Sequence, residues 1–338
     1  MIRLAVDAMG GDYAPKEQIE GAMLAIRKIP DIEIKLYGDP VEVAKYLTNA
    51  ERITVVPSGY VIPMGEHNPI KAIKEHPEGS MAMALASLRK GENDATVSSG
   101  ATQALIAGAH ILVRRMPGFK RTAIAPIIPS LDGRGTILLD AGGNLEIRPE
   151  HMLQQAYFAV VYAKEVMNRP DPTVGLINIG TEEGKGRELD QQVHELFKTC
   201  GLFRFYGNVE PKEVLDPPCD ILISDGFTAN IVMKTMEGTA KGMGKLLKRE
   251  LKASLFGKIG ALFAKRALGN FKQAMSAEEI GGAMIFGLYA PVIKAQGASK
   301  SYGFYNGIRQ AADTVRAQVY PKVAAYVKEA GVQLGSEE

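Results

Sequence analysis

Four loops rich in glycine, serine, threonine and asparagine carry the residue types that bind anions. They comprise residues 98–102, 140–144, 178–186 and 224–230, and each follows a short apolar run. Because such runs predict strands, we expect the loops at the carboxyl ends of a parallel sheet, where backbone N–H groups can approach a ligand. Any sheet needs similar residues in its turns, but four such loops together favour one anion-binding pocket.

Charged side chains in these loops could add to the pocket. Lys185 lies between two glycines and would bring a mobile positive charge, although a solvated loop lysine fits the same pattern. Asp7, Asp12, Asp140 and Asp225 could cluster, but aspartates in turns commonly cap helices. The sequence therefore gives no basis for choosing between a carboxylate pair and separate helix caps.

Motifs for several other chemistries are missing from the sequence. The first loop, residues 7–15, lacks the GxGxxG spacing of a dinucleotide site, and Gly180 and Gly184 stand too close for a P-loop. The five histidines have no metal-ligand spacing, and the Gly-x-Ser-x-Gly elbow is absent. We therefore expect no nicotinamide cofactor, no nucleotide hydrolysis, no metal and no serine triad.

Strands and helices must position these loops, and the sequence predicts them from apolar runs that alternate with helix-length segments. We expect eight strands, at residues 2–6, 33–37, 53–56, 95–98, 135–139, 174–179, 203–206 and 221–224. The intervening segments have helical spacing, which predicts an α/β three-layer sandwich with a mostly parallel sheet. After about Thr235 no strong strand signal remains. We interpret residues 1–338 as a single α/β domain that contains a helical, basic and amphipathic excursion at 235–280.

The excursion carries the strongest local charge bias of the chain. Residues 241–272 hold nine lysines and arginines and a single acid, Glu250. A helical wheel gathers five apolar side chains on one arc, with two lysines on its flank: Leu255, Phe256, Ile259, Leu262, Phe263, Lys258 and Lys265. This pattern predicts a helix that contacts a membrane surface or a partner, although packing against the body of the protein or a dimer partner would also explain it.

Composition excludes several classes of protein. The 338 residues carry a formal charge of only +2, which argues against nucleic-acid binding by bulk charge. The two cysteines, Cys200 and Cys219, suggest neither a disulfide framework nor a zinc site. The sequence has neither a signal peptide nor 18 consecutive apolar residues, so we expect a cytoplasmic protein without a membrane span.

Five motifs together resemble the bacterial phosphate acyltransferase family, which makes acyl phosphate from acyl carrier protein thioesters. They are AVDAMGGD at 5–12, LLD at 138–140, NIGTE at 178–182, SDGFT at 224–228 and GLYAPVIK at 287–294. The resemblance extends from residue 1 to about residue 320. At three loops the chain departs from the family pattern, around Ala101, at Gly142 and Gly143, and at Gln296.

This resemblance implies a fold similar to phosphotransacetylases and isocitrate or isopropylmalate dehydrogenases, a homodimer, a role in phospholipid synthesis and peripheral attachment to the inner membrane face. Acyl carrier protein, inorganic phosphate and an anionic membrane would be the partners, and no cofactor is implied. Within this framework Lys185, Asp225 and Asn230 are the candidate catalytic residues. The candidate substrate-binding residues are Ser99, Gly100, Thr102, Asn144, Asn178, Gly180, Thr181 and Thr228.

Two other functions fit the same sequence. A phosphotransacetylase-like enzyme that uses an acetyl donor would share the fold and the phosphate site. A peripheral membrane protein that has lost catalytic activity would bind a membrane through the amphipathic helix but show no turnover. Dehydrogenase activity has no fingerprint in the sequence.

Overall fold

The computed structural model describes residues 1–274 and 281–329. Its strands are β1 (Ile2–Asp7), β2 (Ile32–Gly38), β3 (Ile53–Pro57), β4 (Ala95–Ser98), β5 (Ala123–Ile128), β6 (Thr136–Leu139), β7 (Thr173–Ile177), β8 (Arg204–Val209), β9 (Ile221–Ile223), β10 (Ala283–Phe286) and β11 (Val292–Lys294). Its helices are α1 (Lys16–Lys28), α2 (Pro40–Ala44), α3 (Pro69–Glu75), α4 (Ser80–Arg89), α5 (Thr102–Gly108), α6 (Pro149–Glu165), α7 (Glu188–Thr199), α8 (Gly226–Ala253), α9 (Leu255–Phe263), α10 (Lys265–Ala274), α11 (Ser301–Arg316) and α12 (Val319–Glu329). A π-helical segment, Ala109–Val113, continues α5.

The strands form one sheet of eleven strands in the order β3-β2-β1-β4-β11-β10-β5-β6-β9-β7-β8. Neighbours are parallel except at β11–β10, β10–β5 and β5–β6, which are antiparallel. Because the strand direction reverses three times across the middle, β1, β4 and β11 run opposite to β6, β9 and β7. The loops at the carboxyl ends of these two sets of strands therefore lie at two opposite edges of the sheet, whereas all four loops were expected at the carboxyl ends of one parallel sheet.

Helices cover both faces of the sheet, because successive side chains of a strand point to opposite sides. In β10, Met284 and Phe286 pack into the larger core with α1, α6, α7 and α11, whereas Ile285 packs into a second core with α4 and α5. In β6, Leu138 points to the same side as Ile285 and packs against α8. These layers confirm the predicted α/β three-layer sandwich.

Three strands at the centre of the sheet were not predicted. The expectation that no strand follows Thr235 is wrong, because β10 and β11 lie in that segment. β10 has only four residues and β11 only three, so their apolar patterns are too short to recognise in the sequence. They become strands by pairing with distant parts of the chain, β10 with β5 and β11 with β4. In β5, Pro126 breaks the strand pattern, since proline cannot donate to a neighbouring strand.

The basic excursion is helical over its described part, which ends at residue 274. The 28-residue α8 leads to α9, which packs against α8 and α10. In the part of the chain that the structure describes, no helix combines the length and hydropathy needed to cross a bilayer. Residues 275–280 of the predicted excursion and residues 330–338 of the predicted single domain lie outside the described residues.

Candidate functional site

The carboxyl ends of β1, β4 and β11 bring together a buried group that we call the lysine edge. It consists of Asp7, Ser98, Ser99, Gly100 and Lys294. The carboxylate of Asp7 accepts hydrogen bonds from Ser98 Oγ at 2.6 Å and from Ser80 Oγ at 2.7 Å. Burial raises the pKa of Asp7, although these hydrogen bonds oppose the shift. The edge thus contains a carboxyl group held away from solvent.

Two loops of the lysine edge touch through their backbones. A Cβ on Gly10 would lie 2.8 Å from Gly100 Cα and 2.5 Å from Asp7 Oδ2, so only glycine fits there. Ser99 Oγ donates to the Gly10 carbonyl at 2.7 Å and accepts from Gln18 Nε2 at 2.9 Å. These contacts fix the loop that contains Ser99 and Gly100.

Lys294 ends β11 with its ammonium inside the lysine edge, where the residue is 8% exposed. Its Nζ donates to the carbonyl of Ala295 at 2.5 Å and to that of Ser99 at 3.4 Å. Burial lowers the pKa of Lys294 to about 8; the charge of Lys234 acts in the same direction, and the charges of Asp12 and Asp7 act against it. Sequence reasoning missed this residue because its burial depends on the pairing of β11 with β4.

The carboxyl ends of β6, β7 and β9 form a second group that we call the arginine edge. It consists of Asp140, Asn178, Arg187, Asp190 and Asp225. Arg187 Nη2 lies 2.9 Å from Asp190 Oδ1 and 2.5 Å from Asp225 Oδ2. The positive charge of this edge is therefore paired with carboxylates of the protein itself.

Asp225 is a structural centre of the arginine edge. Its side chain accepts from the backbone N–H groups of Phe227 and Thr228, both at 3.0 Å, and so caps α8. Burial works to raise the pKa of Asp225, but hydrogen bonds from Arg187 and Thr228 outweigh it and lower the pKa. The carboxylate is thus held in its charged form.

Three asparagines among the candidate site residues donate hydrogen bonds to neighbouring loops. Asn144 Nδ2 donates to Asp140 Oδ2 at 2.6 Å, Asn230 Nδ2 to the Ala141 carbonyl at 2.8 Å, and Asn178 Nδ2 to the Lys185 carbonyl at 3.0 Å. The donor group of each side chain thus has a partner in the protein, and the amide oxygen of Asn178 also accepts from the backbone N–H of Ile179 at 2.8 Å. Burial raises the pKa of Asp140 despite the hydrogen bond from Asn144.

The structure divides the sequence-predicted residues between the two edges. Ser99, Gly100 and Thr102 belong to the lysine side, where Ser99 is buried and Thr102 exposed. The remaining candidates lie on the arginine side: Asn144, Asn178, Gly180, Thr181, Lys185, Asp225, Thr228 and Asn230.

Lys185 does not contact the centre of the arginine edge. Its side chain is half exposed, and its Nζ lies 3.9 Å from Glu182 Oε1. Arg187, two residues further along, is the cation that reaches Asp225. Sequence reasoning singled out Lys185 for its flanking glycines and overlooked Arg187, although Asp190 three residues later matches a capping arrangement at the start of α7.

Helices α5 and α8 connect the two edges along one face of the sheet. The chain leaves the lysine edge through α5 and reaches His110, whose Nε2 lies 2.6 Å from Thr122 Oγ1 beside Asn144. In the opposite direction, α8 starts at Asp225 and reaches Lys234, whose charge lowers the pKa of Lys294. Helix α5 packs against β10 and β11, and α8 packs against β5 and β6, so the two helices flank the same face of the sheet.

Other features of the described ranges offer no competing site. No group of three or more histidine, cysteine or acidic residues within them could hold a metal ion. A groove of about 420 Å³ lies between α6 and α12, where Lys322 and Glu165 form an ion pair at its rim. That groove lies away from both edges.

Sequence comparison gives a match over nearly the whole chain. The family model for the fatty acid synthesis protein matches residues 2–322. A phosphate acyltransferase of Acholeplasma laidlawii is 50% identical over 325 residues, covering 96% of this chain and 97% of that protein. A phosphate acyltransferase of Bacillus cereus (strain G9842) is 40% identical over 332 residues, covering 98% and 100%.

Solved structures with the same fold include enzymes that handle acyl groups and phosphate. A phosphotransacetylase from Streptococcus pyogenes superposes with a TM-score of 0.61 at 15% identity, over 95% of this chain and 94% of that one. A branched-chain phosphotransacylase from Enterococcus faecalis V583 gives 0.60 at 12% identity, over 93% and 99%. At such low identity these likenesses show the fold alone, whereas the sequence matches show that the chain belongs to the fatty acid synthesis protein family of phosphate acyltransferases and is an acyltransferase that acts on phosphate.

Proposed function

We propose that this acyltransferase takes a long-chain fatty acyl group from the thioester of acyl carrier protein and transfers it to inorganic phosphate. The product is an acyl phosphate that serves phospholipid synthesis. The observation that carries the choice of a long acyl chain is the exposed apolar surface of α9, because a product with a long apolar chain needs a membrane to receive it. Acetyl phosphate, in contrast, dissolves in water.

The reaction suits a site without metal or nucleotide. Phosphate is already a nucleophile at neutral pH, and a thiolate leaves readily because thiols ionise with a pKa of about 8.5. The enzyme then has to hold phosphate beside the thioester carbonyl and stabilise the oxyanion that forms. We propose that Ser99, Gly100 and Thr102 contribute on one side of the sheet face between α5 and α8, and that the candidate residues of the arginine side contribute on the other.

Helix α9 supports peripheral attachment of this cytoplasmic enzyme to an anionic membrane. Phe256 is 88% exposed and Phe263 is 86% exposed, and Leu255, Ile259 and Leu262 are exposed as well. Lys258 lies at the surface of α9, and Lys265 lies at the surface where α10 begins. A basic helix with exposed aromatic side chains binds an anionic lipid surface through buried apolar area and charge attraction together.

Exposed apolar residues on the outer part of α8 support a homodimer. Met243, Leu246 and Leu247 are exposed along its outer part, beyond the turns that pack on the sheet. Pairing of this face with a second copy would cover it. Sedimentation velocity of the Leu246→Glu variant, compared with the neighbouring Lys245→Glu variant, should show dissociation only in the first. An unchanged dimer in both would contradict an α8 interface, and a monomeric wild-type protein would contradict the dimer.

Donor specificity is tested by measuring phosphate-dependent formation of acyl phosphate. We expect turnover with palmitoyl acyl carrier protein and far less with acetyl-coenzyme A. The phosphotransacetylase-like alternative, which the fold shared with the Streptococcus pyogenes enzyme favours, requires the opposite preference. Absence of turnover with every acyl carrier protein thioester from short to long would contradict the proposed donor.

Membrane attachment is tested by co-sedimentation with phosphatidylglycerol vesicles. The Phe256→Ser/Phe263→Ser variant should remain in the supernatant, because it lacks two aromatic side chains that would enter the membrane. Both side chains lie free of the protein core, so their loss should not disturb the fold. A variant with Tyr289, an exposed aromatic residue remote in sequence, changed to Ser is the matched control and should sediment like the wild type. Equal sedimentation of all three proteins would contradict attachment through α9.

A further inference from the structure

A lysine buried without an acidic partner needs an explanation. Lys294 is 8% exposed, and in the structure as described its Nζ has no carboxylate within ion-pair distance. Moving an unpaired charge out of water costs several kcal/mol. At the arginine edge, in contrast, Arg187 has two carboxylates within 3 Å. The lysine edge therefore carries positive charge that the protein itself leaves without a close counter-ion.

The ammonium of Lys294 also has hydrogen-bonding capacity to spare. An ammonium carries three N–H donors, and the two carbonyls that accept from Lys294 lie at 2.5 and 3.4 Å. The longer contact, to Ser99, is weak by the usual distance criterion. At least one donor is thus free to bind an anion.

The position of Lys294 is suited to an anionic substrate. Its strand partner is Ser98, so its side chain emerges at the level where the Ser99–Gly100 loop begins. Val292, two residues earlier, packs into the core beneath α4 and α5, so Lys294 points to the face that α5 and α8 flank. The charge of Lys234, on α8, also lowers the pKa of Lys294. Lysines from two different parts of the chain thus contribute positive potential near the Lys294 ammonium.

We propose that the ammonium of Lys294 binds the phosphate substrate directly, as a charge-assisted hydrogen-bond donor on the sheet face between α5 and α8. Lys234, which is 60% exposed and also contacts Glu237, contributes longer-range attraction. The proposal rests on phosphate being the acyl acceptor. In this arrangement the bound phosphate supplies the counter-ion that Lys294 lacks, and the ammonium lowers the free energy of the phosphate in place of a metal ion.

Steady-state kinetics of the Lys294→Met variant test this role. Methionine keeps most of the length of the side chain without its charge. We expect KM for phosphate to rise by about 10- to 100-fold, the range for loss of a hydrogen bond to a charged group, with KM for the acyl donor nearly unchanged. Lys74→Met, at an exposed position of α3, is the matched control and should behave like the wild type. An equal KM for phosphate in the wild type and Lys294→Met would overturn the proposal.

Thermal unfolding separates substrate binding from a structural role. Inorganic phosphate should raise the unfolding midpoint of the wild type and of Lys74→Met relative to chloride at equal ionic strength, and it should leave Lys294→Met unchanged. If Lys294 only supported the fold, Lys294→Met would lose stability in chloride and still gain from phosphate. That result would overturn the proposal.

The pH dependence of the wild-type enzyme keeps the proposal testable should Lys294→Met not fold. Because the pKa of Lys294 is lowered to about 8 by burial, the ligand-free ammonium loses its proton above that pH. KM for phosphate should then rise as pH increases past about 8. The other charged groups that act on Lys294 are Asp7, Asp12 and Lys234. A KM that stays flat up to about pH 9.5 would overturn the proposal. Absence of phosphate-dependent turnover in the wild type would instead refute the phosphate acceptor itself.

Discussion

The two edges of the sheet carry charge in opposite ways. At the arginine edge, Arg187 binds Asp190 and Asp225, so that its positive charge is paired twice and the loops are held together. At the lysine edge, Lys294 is buried among carbonyl groups and Asp7 is bound by serine hydroxyls, without a close ion pair between them. The comparison indicates that a cation paired within the protein stabilises the fold, whereas a buried and unpaired cation is available to a ligand.

The largest effect on stability should come from removing the centre of the arginine edge. Asp225→Ala deletes a 2% exposed carboxylate that pairs with Arg187 and caps α8. We expect the free energy of unfolding to fall by about 3 kcal/mol, from the loss of a buried ion pair and a helix cap. Thr228→Ala, which removes one hydrogen bond to the same carboxylate, should cost about 1 kcal/mol. Urea unfolding measures the free energy of unfolding of both variants. Equal losses in the two would contradict the central structural role of the Asp225 carboxylate.

A smaller loss is expected when the backbone contact of the lysine edge is opened. The Cβ of Gly10→Ala would meet the backbone of Gly100 at 2.8 Å, and that backbone cannot rotate away. Overpacking of this kind costs about 1–3 kcal/mol, and the displaced Ser99 loop should raise KM for phosphate. Gly184→Ala, where a Cβ meets nothing within 4 Å, is the control. Unfolding and kinetics of Gly10→Ala that match this control would contradict the close packing.

The pH dependence of the unfolding free energy should show whether an ion pair or packing alone holds the arginine edge together. The pKa of Asp225 is lowered in the folded protein, so its ion pair contributes stability that is present above the unfolded pKa of about 3.9 and is lost as pH falls through the folded value. Arg187→Met should lower the free energy of unfolding by about 1–2 kcal/mol at pH 7, discounted because Arg187 is half exposed. Urea unfolding at a series of pH values should show the difference shrinking below about pH 4, and a constant difference would refute the ion pair.

The smallest effect is expected at Lys185. Its half-exposed ion pair with Glu182 should make Lys185→Ala neutral within about 0.5 kcal/mol of unfolding free energy. The sequence-based hypothesis still predicts a higher phosphate requirement for this variant. If Lys185 helps phosphate to approach, KM for phosphate should rise less than in Lys294→Met, because Lys185 is exposed to water. Unchanged phosphate saturation would exclude Lys185 from the site.

Much of the fold was predictable because its outer strands have strong local patterns. Leu4 and Val6 of β1 pack into one core and Ala5 into another, which is the alternation that apolar runs suggest. The centre was not predictable, since β10 and β11 are short and pair only with residues distant in sequence. Their antiparallel pairing decides that the carboxyl ends lie at two edges.

The candidate site could be predicted only in part from the sequence, for the same reason. Ser99 and Gly100 were recognised because small residues follow a clear strand, β4. Lys294 was not, because a lysine in a three-residue strand becomes a buried cation only when β4 and β10 enclose it. The asparagines were recognised as donors, but their bonds to neighbouring loops could not be foreseen from residue type.

A crystal structure of the enzyme with bound inorganic phosphate would test the contrast between the edges most directly. The phosphate should lie on the sheet face between α5 and α8, with one of its oxygens about 2.7–3.2 Å from Lys294 Nζ, and Arg187 should remain paired with Asp225. A phosphate bound by Arg187 at the arginine edge, with Lys294 out of contact, would contradict the division of roles.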